Sequence, residues 1–266
     1  MKFREVIAKH LPAGQVLPEV PKAKATIRIS PIKLTAVQSL FDALPAAKTN
    51  ASPLTFEDLN QDYGFVLYRT TVSGASGTLR IKELRDYGIV FINDKRAGTL
   101  DRRLGQDSLE VVMPKGKVQL DILVENLGRI NFGPYLLQNK KGITEKVTLA
   151  NKELKGWQMF SLPMNDMSKL VAKKITAVAD VPVIRSGSFT LQSIGDTYLD
   201  MSSWGKGAVW VNGHNLGRYW SIGPQQTLYV PVEWLKKGNN RVTVLELLKP
   251  EQKELKGIDT PILDVR

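Results

Sequence analysis

The sequence contains no cysteine and only two histidines, His10 and His214. Without thiols the chain can form neither disulfides nor thiolate metal sites. Cysteine usage therefore does not indicate whether its compartment is oxidising or reducing. Two histidines so far apart in sequence also exclude a histidine-rich metal site. We therefore expect neither a bound metal nor a cofactor.

Long apolar runs are missing as well. No uninterrupted stretch approaches the roughly 20 apolar residues that cross a bilayer, so we expect no membrane segment. The first ten residues, MKFREVIAKH, lack the apolar centre and the small-residue cleavage site of a signal peptide. They predict a short amphipathic helix with Phe3, Val6 and Ile7 on one side. A chain that opens inside a helix suggests a start within a longer protein.

The formal net charge of +11 raises the question of a nucleic-acid partner. The lysines, however, are scattered singly or in pairs such as Lys140-Lys141 and Lys236-Lys237, within polar stretches between apolar runs. No arginine-rich arm or basic helix is present. We interpret the charge as a solvated surface and expect no nucleic-acid partner. The apolar fraction of 42% is sufficient for a packed core.

Most of the chain has strand character, with turn residues at short spacing. Residues 11–25 are rich in proline and read as an extended linker, and Thr26–Ile29 predicts the strand that begins the first packed unit. Residues 65–72 predict a strand that ends in a loop at 73–77. Short helical signals lie at residues 36–43 and 165–171, with a turn at 233–235.

One predicted strand, residues 117–124, alternates clearly. It places Val118, Leu120, Ile122 and Val124 on one face, and its other face is mostly polar. This pattern is typical of a half-buried antiparallel strand.

An internal repeat is the most informative feature. The segment GIVFINDKRAGTL begins at Gly88, and GAVWVNGHNLGRY begins 119 residues later, at Gly207. Each copy predicts a strand, a tight turn and a return strand. If the hairpins are equivalent, Val90 and Val209 share one burial environment, and Phe91 and Trp210 share the other.

The repeat predicts an all-β fold of two tandem β-sandwiches. We divide the chain into a helix and linker at residues 1–25, a first sandwich at 26–138 and a second at 139–266. Residues 139–178 are expected to supply early strands to the second sandwich.

Four of the five tryptophans lie between residues 204 and 234. Aromatic side chains stack on sugar rings, but more often they fill a core. Trp210 alternates with Val209 and Val211 within a strand, so we assign it to the core. Trp220, in a predicted loop, stays open to either role.

Several segments resemble the carboxyl-terminal region of glycoside hydrolase family 35 β-galactosidases. The longest is GAVWVNGHNLGRYW at 207–220, followed by GPQ at 223–225 and LYVP at 228–231. The resemblance continues through VENLGRINFG at 124–133, KGI at 141–143 and YRT at 68–70. It covers nearly the whole chain.

The resemblance implies a layout of an amino-terminal (β/α)₈ barrel followed by galactose-binding-like jelly-roll sandwiches. Such a barrel carries two glutamates about 5 Å apart and retains the anomeric configuration. Nothing in this chain matches the barrel. Both catalytic glutamates would precede Met1, and we expect no catalytic residue here. The sequence leaves the location unknown, and the resemblance is compatible with a periplasmic or secreted protein.

Glu125 superficially resembles the family's acid/base glutamate, but it ends the alternating strand, and we interpret it as structural. As carbohydrate-binding residues the sequence suggests Trp220, Tyr219, Arg218 and His214. For Arg218, as for Arg129 and Asn131, the alternative is loop anchoring through backbone hydrogen bonds. For His214 the alternative is an exposed or loop-tying side chain.

The resemblance thus implies non-catalytic accessory domains of an enzyme that hydrolyses terminal β-linked galactose, inactive without the barrel. Their expected partner is the barrel of the same enzyme, and the resemblance also allows contact with β-galactosides and homo-oligomers. Two alternatives stay open: an autonomous carbohydrate-binding module, and a self-contained hydrolase. The second lacks an identifiable carboxylate pair.

Overall fold

The computed structural model describes residues 2–22, 24–74, 76–165 and 180–264. The predicted amino-terminal helix is confirmed as α1, Lys2–Lys9, and its apolar residues Phe3, Val6 and Ile7 are exposed. In the described part of the linker, residues 11–25 form no helix or strand. The rest of the described chain consists mainly of strands.

The strands are, in chain order, β1 Ile29–Lys33, β2 Ala36–Ser39, β3 Lys48–Asn50, β4 Phe65–Ser73, β5 Gly77–Ile81, β6 Leu84–Arg85, β7 Tyr87–Ile92, β8 Lys95–Asp101, β9 Ser108–Val111, β10 Lys117–Glu125, β11 Gly142–Ile143, β12 Val147–Leu149, β13 Lys152–Glu153, β14 Trp157–Leu162, β15 Val183–Leu191, β16 Thr197–Asp200, β17 Lys206–Val211, β18 His214–Trp220, β19 Thr227–Val230, β20 Gly238–Glu246 and β21 Glu254–Ile258. Short 3-10 helices lie at Leu40–Ala43, Arg102–Leu104 and Val232–Trp234.

Two sandwiches share the chain. Sandwich 1 comprises residues 48–162 and encloses its core between a large sheet, in the order β3-β14-β4-β10-β7-β8, and a small sheet, in the order β13-β12-β5-β9. Sandwich 2 encloses a separate core between the large sheet β18-β17-β20-β15-β2 and the small sheet β1-β21-β16-β19. The predicted all-β architecture of two sandwiches is confirmed.

The predicted assignment of strands to the sandwiches is wrong at both ends. β1 pairs with β21 and β2 pairs with β15, so the strands at 29–39 belong to sandwich 2. β11, β12 and β14 pair with β6, β5 and β4, so the strands at 142–162 belong to sandwich 1. The prediction assumed that strands adjacent in sequence belong to the same sandwich, whereas these hydrogen-bonded pairs join strands that are far apart in the chain. Sandwich 1 is therefore inserted between two strands of sandwich 2.

The short helical signals have mixed outcomes. Residues 36–43 form β2 and then a 3-10 turn, which Ser39 caps by accepting a hydrogen bond from the backbone N–H of Phe41. The turn at 233–235 corresponds to the 3-10 helix Val232–Trp234. All but the first residue of the segment 165–171 lies outside the described residues.

The repeated hairpins are equivalent, as predicted. In both, the register shifts by a bulge after the valine, which pairs with a glycine: Val90 with Gly98, and Val209 with Gly217. Both turns use two residues of positive φ, Asn93-Asp94 and Asn212-Gly213, as expected of type I′ hairpins. Side-chain directions match too, because Val90 and Val209 lie in the cores of sandwiches 1 and 2.

Phe91 and Trp210 instead lie in a third apolar core, where the two large sheets face each other. This inter-sandwich core also covers part of β10 that was predicted to be solvated. Asp121, Leu123 and Glu125, on the second face of that strand, are all buried. The prediction of a half-buried strand is wrong here because sandwich 2 covers the outer face.

Candidate functional site

The two sandwiches meet where the repeat places equivalent residues face to face. Tyr87 begins β7 and Lys206 begins the equivalent strand β17, and the Lys206 ammonium lies 5.1 Å from the centroid of the Tyr87 ring. The contact between the sandwiches therefore includes the first residues of the two equivalent strands.

Glu125 forms a buried ion cluster at this point. It ends β10, and its side chain is 3% exposed. The Lys206 ammonium lies 2.8 Å from one carboxylate oxygen, and an Arg218 guanidinium nitrogen lies 3.2 Å from the other. The lysine contact is a charge contact without an aligned hydrogen bond, because that oxygen accepts none. Both oxygens are thus occupied by cations, which supports the structural interpretation of Glu125.

The repeat shows that this glutamate replaces an apolar residue. Ile122 pairs with Val90 and Val244 pairs with Val209, so Glu125, three residues beyond Ile122, corresponds to Leu247. Leu247 lies in the inter-sandwich core. A glutamate at the equivalent position needs cationic partners, and sandwich 2 supplies both.

Lys206 is almost fully buried, at 1% exposure. Burial lowers the pKa of its ammonium group, and the negative charge of nearby Glu125 opposes that shift. The ammonium also lies 3.7 Å from the centroid of the Trp220 ring, a favourable cation–π contact. Lys206 therefore joins a carboxylate of sandwich 1 to an aromatic ring of sandwich 2.

Trp220 is half-buried, and its indole ring already has several partners. The Arg103 guanidinium lies 4.2 Å from the ring centroid, and the Tyr87 ring meets it edge-on at 5.2 Å. A sugar stacking on Trp220 would compete with these contacts and with Lys206.

Arg218 anchors a loop of the opposite sandwich, as the alternative interpretation predicted. Its guanidinium donates to the backbone carbonyls of Asn126, at 2.8 Å, and Leu127, at 3.3 Å.

Arg218 spans the contact between the two sandwiches, which we call the seam, and it lines a cleft on either side. Cleft A, of about 400 Å³, includes Tyr63, Phe65, Asn126, Trp210, Asn215 and Arg218 in its lining. Cleft B, of about 380 Å³, includes Lys206, Arg218, Trp220, Pro224, Gln225 and Leu228.

Of the other two suggested sugar-binding residues, Tyr219 borders cleft B from within the core, and His214 lines neither cleft. Tyr219 is 5% exposed, and its hydroxyl hydrogen-bonds to Glu246 and to the Leu245 carbonyl. Its predicted role in sugar stacking conflicts with this burial, because the β-strand alternation turns it inward. His214 is exposed and stacks on Trp234 at 4.8 Å, so it ties the hairpin to a neighbouring turn.

A second buried ion pair near the seam was not predicted from the sequence. The Lys141 ammonium lies 2.7 Å from Asp86, and the same carboxylate accepts a hydrogen bond from the backbone N–H of Leu127. The interpretation of Lys141 as a solvated lysine is therefore wrong. The signal in the sequence is that Lys141 belongs to the resembling segment Lys141-Gly142-Ile143, whose last two residues form β11 and pair inside sandwich 1.

Two classes of site are not found among the described residues. No group of three or more histidine, aspartate or glutamate side chains there could hold a metal ion. In the same part of the chain, no helix is long and apolar enough to cross a membrane.

The match to known families follows the two sandwiches. The family model described as "Beta-galactosidase, first all-beta domain" matches residues 53–163, and "Beta-galactosidase, galactose-binding domain" matches residues 182–240. The two sandwiches therefore correspond to β-domains of the kinds that these two models describe.

Curated relatives agree. The chain is 39% identical to a β-galactosidase of Xanthomonas manihotis, over 91% of this chain and 39% of the relative. It is 36% identical to β-galactosidase 17 of Arabidopsis thaliana, over 91% of this chain and 40% of the relative. It is 33% identical to human β-galactosidase-1-like protein 2, over 92% of this chain and 40% of the relative. The chain belongs to the β-galactosidase family and spans about 40% of the length of these relatives.

Solved structures are more distant. A β-galacturonidase from Eisenbergiella tayi bound to glycerol is 11% identical, covering 88% of this chain and 42% of its own, with a TM-score of 0.26. A likeness at this level carries no argument about function.

Proposed function

We propose that this chain forms the non-catalytic accessory domains of a β-galactosidase that hydrolyses terminal β-linked galactose. In this role the sandwiches pack against a catalytic barrel and shape the rim of its pocket. The observation that carries the proposal is the match of both sandwiches to the β-domains of β-galactosidases that are more than twice as long.

The seam supports the accessory role. Glu125, the carboxylate that resembles a catalytic acid, contacts two cations and lies inside the contact between two sandwiches. A general acid must reach the leaving-group oxygen, and this carboxylate is enclosed. Its geometry fits a structural ion pair.

Two measurements test the proposal. The isolated chain is expected to give no turnover of a chromogenic β-galactoside above background. A chimaera, in which this chain replaces the matching carboxyl-terminal part of the Xanthomonas manihotis enzyme, is expected to be active. Turnover by the isolated chain that disappears in Glu125→Gln would instead support a self-contained hydrolase. An inactive chimaera whose parts do not associate would contradict the accessory role.

Cleft A favours a second candidate function, carbohydrate binding. Its lining combines Tyr63 and Phe65 with the polar side chains of Asn126, Asn215 and Arg218, a combination suited to a sugar ring with hydroxyl edges. Calorimetric titration of the chain with galactose tests it. Binding that is lost in Arg218→Ala, but kept in the exposed control Arg28→Ala, would support a carbohydrate-binding module.

A further inference from the structure

A loop of sandwich 1 presents an unusual amount of apolar surface. It runs from Leu127 to Gln138, between β10 and β11, and we call it the apolar loop. Phe132 is 89% exposed and Leu137 is 90% exposed. Its other exposed large apolar residues are Ile130, Tyr135 and Leu136. Five such side chains within eight consecutive residues form a patch that soluble proteins seldom leave uncovered.

The base of the loop is firmly fixed. The Glu57 carboxylate forms an ion pair with Arg129 at the start of the loop and accepts a hydrogen bond from the backbone N–H of Lys141 just after it. Asn139 closes the same neck, since its side-chain oxygen accepts from the Ile130 N–H and its carbonyl from Arg129. An exposed apolar tip on a clamped base is suited to docking, because little ordering entropy remains to be lost on binding.

The apolar loop is also continuous with the seam between the sandwiches. Leu127 packs against the inter-sandwich core, and Arg218 of sandwich 2 donates to its carbonyl. Gly128 and Arg129 line cleft A. A partner seated on the loop would therefore contact both sandwiches at once.

We propose that the apolar loop docks into an apolar recess on the catalytic barrel of the same enzyme. The inference rests on the proposed function, and the relatives supply the argument for this occupant: about 60% of their length lies outside the part that this chain matches. A second copy of the chain is a poorer occupant, because two chains that each have a formal net charge of +11 repel each other.

The chimaera described above provides the test. Backbone hydrogen exchange of residues 127–138 is expected to be slower in the active chimaera than in the isolated chain. The double variant Phe132→Ser/Leu137→Ser removes two apolar anchors, so it is expected to shorten the thermal-inactivation half-life of the chimaera at least tenfold, about 1.4 kcal/mol. The control Val112→Ser changes a similarly exposed apolar residue outside the loop and should have little effect.

In the isolated chain, both the double variant and the control are expected to melt like the parent, because these side chains contact mostly solvent. An active chimaera in which the loop exchanges as fast as in the isolated chain, or in which the double variant behaves like Val112→Ser, overturns the docking inference and leaves the proposed function intact. A chimaera whose barrel and sandwiches stay unassociated overturns both. Self-association of the isolated chain that the double variant abolishes would assign the loop to a second copy instead.

Discussion

Replacing Lys206 by methionine is expected to destabilise the protein by about 3 kcal/mol. Removing one partner of a buried ion pair typically costs about 3–5 kcal/mol, because the other charge stays buried without compensation. Glu125 is 3% exposed and lies 2.8 Å from the lysine, so it meets the conditions for that cost. Arg218 still contacts the second oxygen at 3.2 Å, which places the expected value at the lower end.

The companion variant is Glu125→Leu/Lys206→Met. Leucine is the residue that the repeat places at the equivalent position, 247, and buried ion pairs replaced by apolar residues of similar size often cost little. The double variant is therefore expected to recover most of the stability lost in Lys206→Met. The double-mutant cycle compares the free energies of unfolding of the parent, Lys206→Met, Glu125→Leu and the double variant, each measured by denaturant unfolding. If Lys206→Met is as stable as the parent, the interpretation of Lys206 as the cation that compensates the buried charge of Glu125 is wrong.

Three further predictions concern the core and the repeat. Trp210→Ala is expected to cost roughly 3–5 kcal/mol in denaturant unfolding, since the side chain is 1% exposed, and an unchanged melting temperature would contradict its place in the core. Gly207→Ala is expected to destabilise by about 3 kcal/mol, because a Cβ there would lie 1.8 Å from a carbonyl oxygen of β20. In the equivalent Gly88→Ala, the added Cβ would meet only side-chain methyl groups, at 3.2 Å or more, so its melting temperature should fall less. An equal fall in the two variants would contradict this difference in packing. Burial raises the pKa of Tyr219 well above its ordinary value of about 10, and nearby Glu246 adds to the shift. The neutral phenol therefore stabilises the fold fully below pH 10, and this contribution is lost as the pH rises further. Melting temperatures between pH 9 and pH 11 should fall less steeply in Tyr219→Phe, and an identical slope would contradict this assignment.

The hairpins could be predicted because their information is local. Alternation decides which side Val90 and Phe91 face, and the Asn212-Gly213 turn fixes the register, so the equivalence with the second copy followed from the sequence. The pairing of β1 with β21 could not be predicted in the same way. Those strands are more than 200 residues apart, and the sequence of neither strand indicates which strand it pairs with.

The candidate site was predictable only in part. Arg218 could be singled out as a loop anchor, but its contact with Glu125 depends on two sandwiches packing through equivalent faces. Tyr219 and Trp220 are adjacent in sequence, yet alternation buries the first in the core of sandwich 2 and leaves the second at the seam. Composition identified the aromatic segment and could not tell these roles apart.

The insertion of sandwich 1 determines the order in which the protein can be built. The strands at 29–39 are synthesised before sandwich 1, whereas their partners β15 and β21 are synthesised after it. Sandwich 1 contains all its own strands, and its first strand, β3, pairs directly with its last, β14. Once it folds, its two ends lie side by side. For the surrounding sandwich, more than a hundred residues then act as a short connection, and most of the entropy of closing that loop has already been lost.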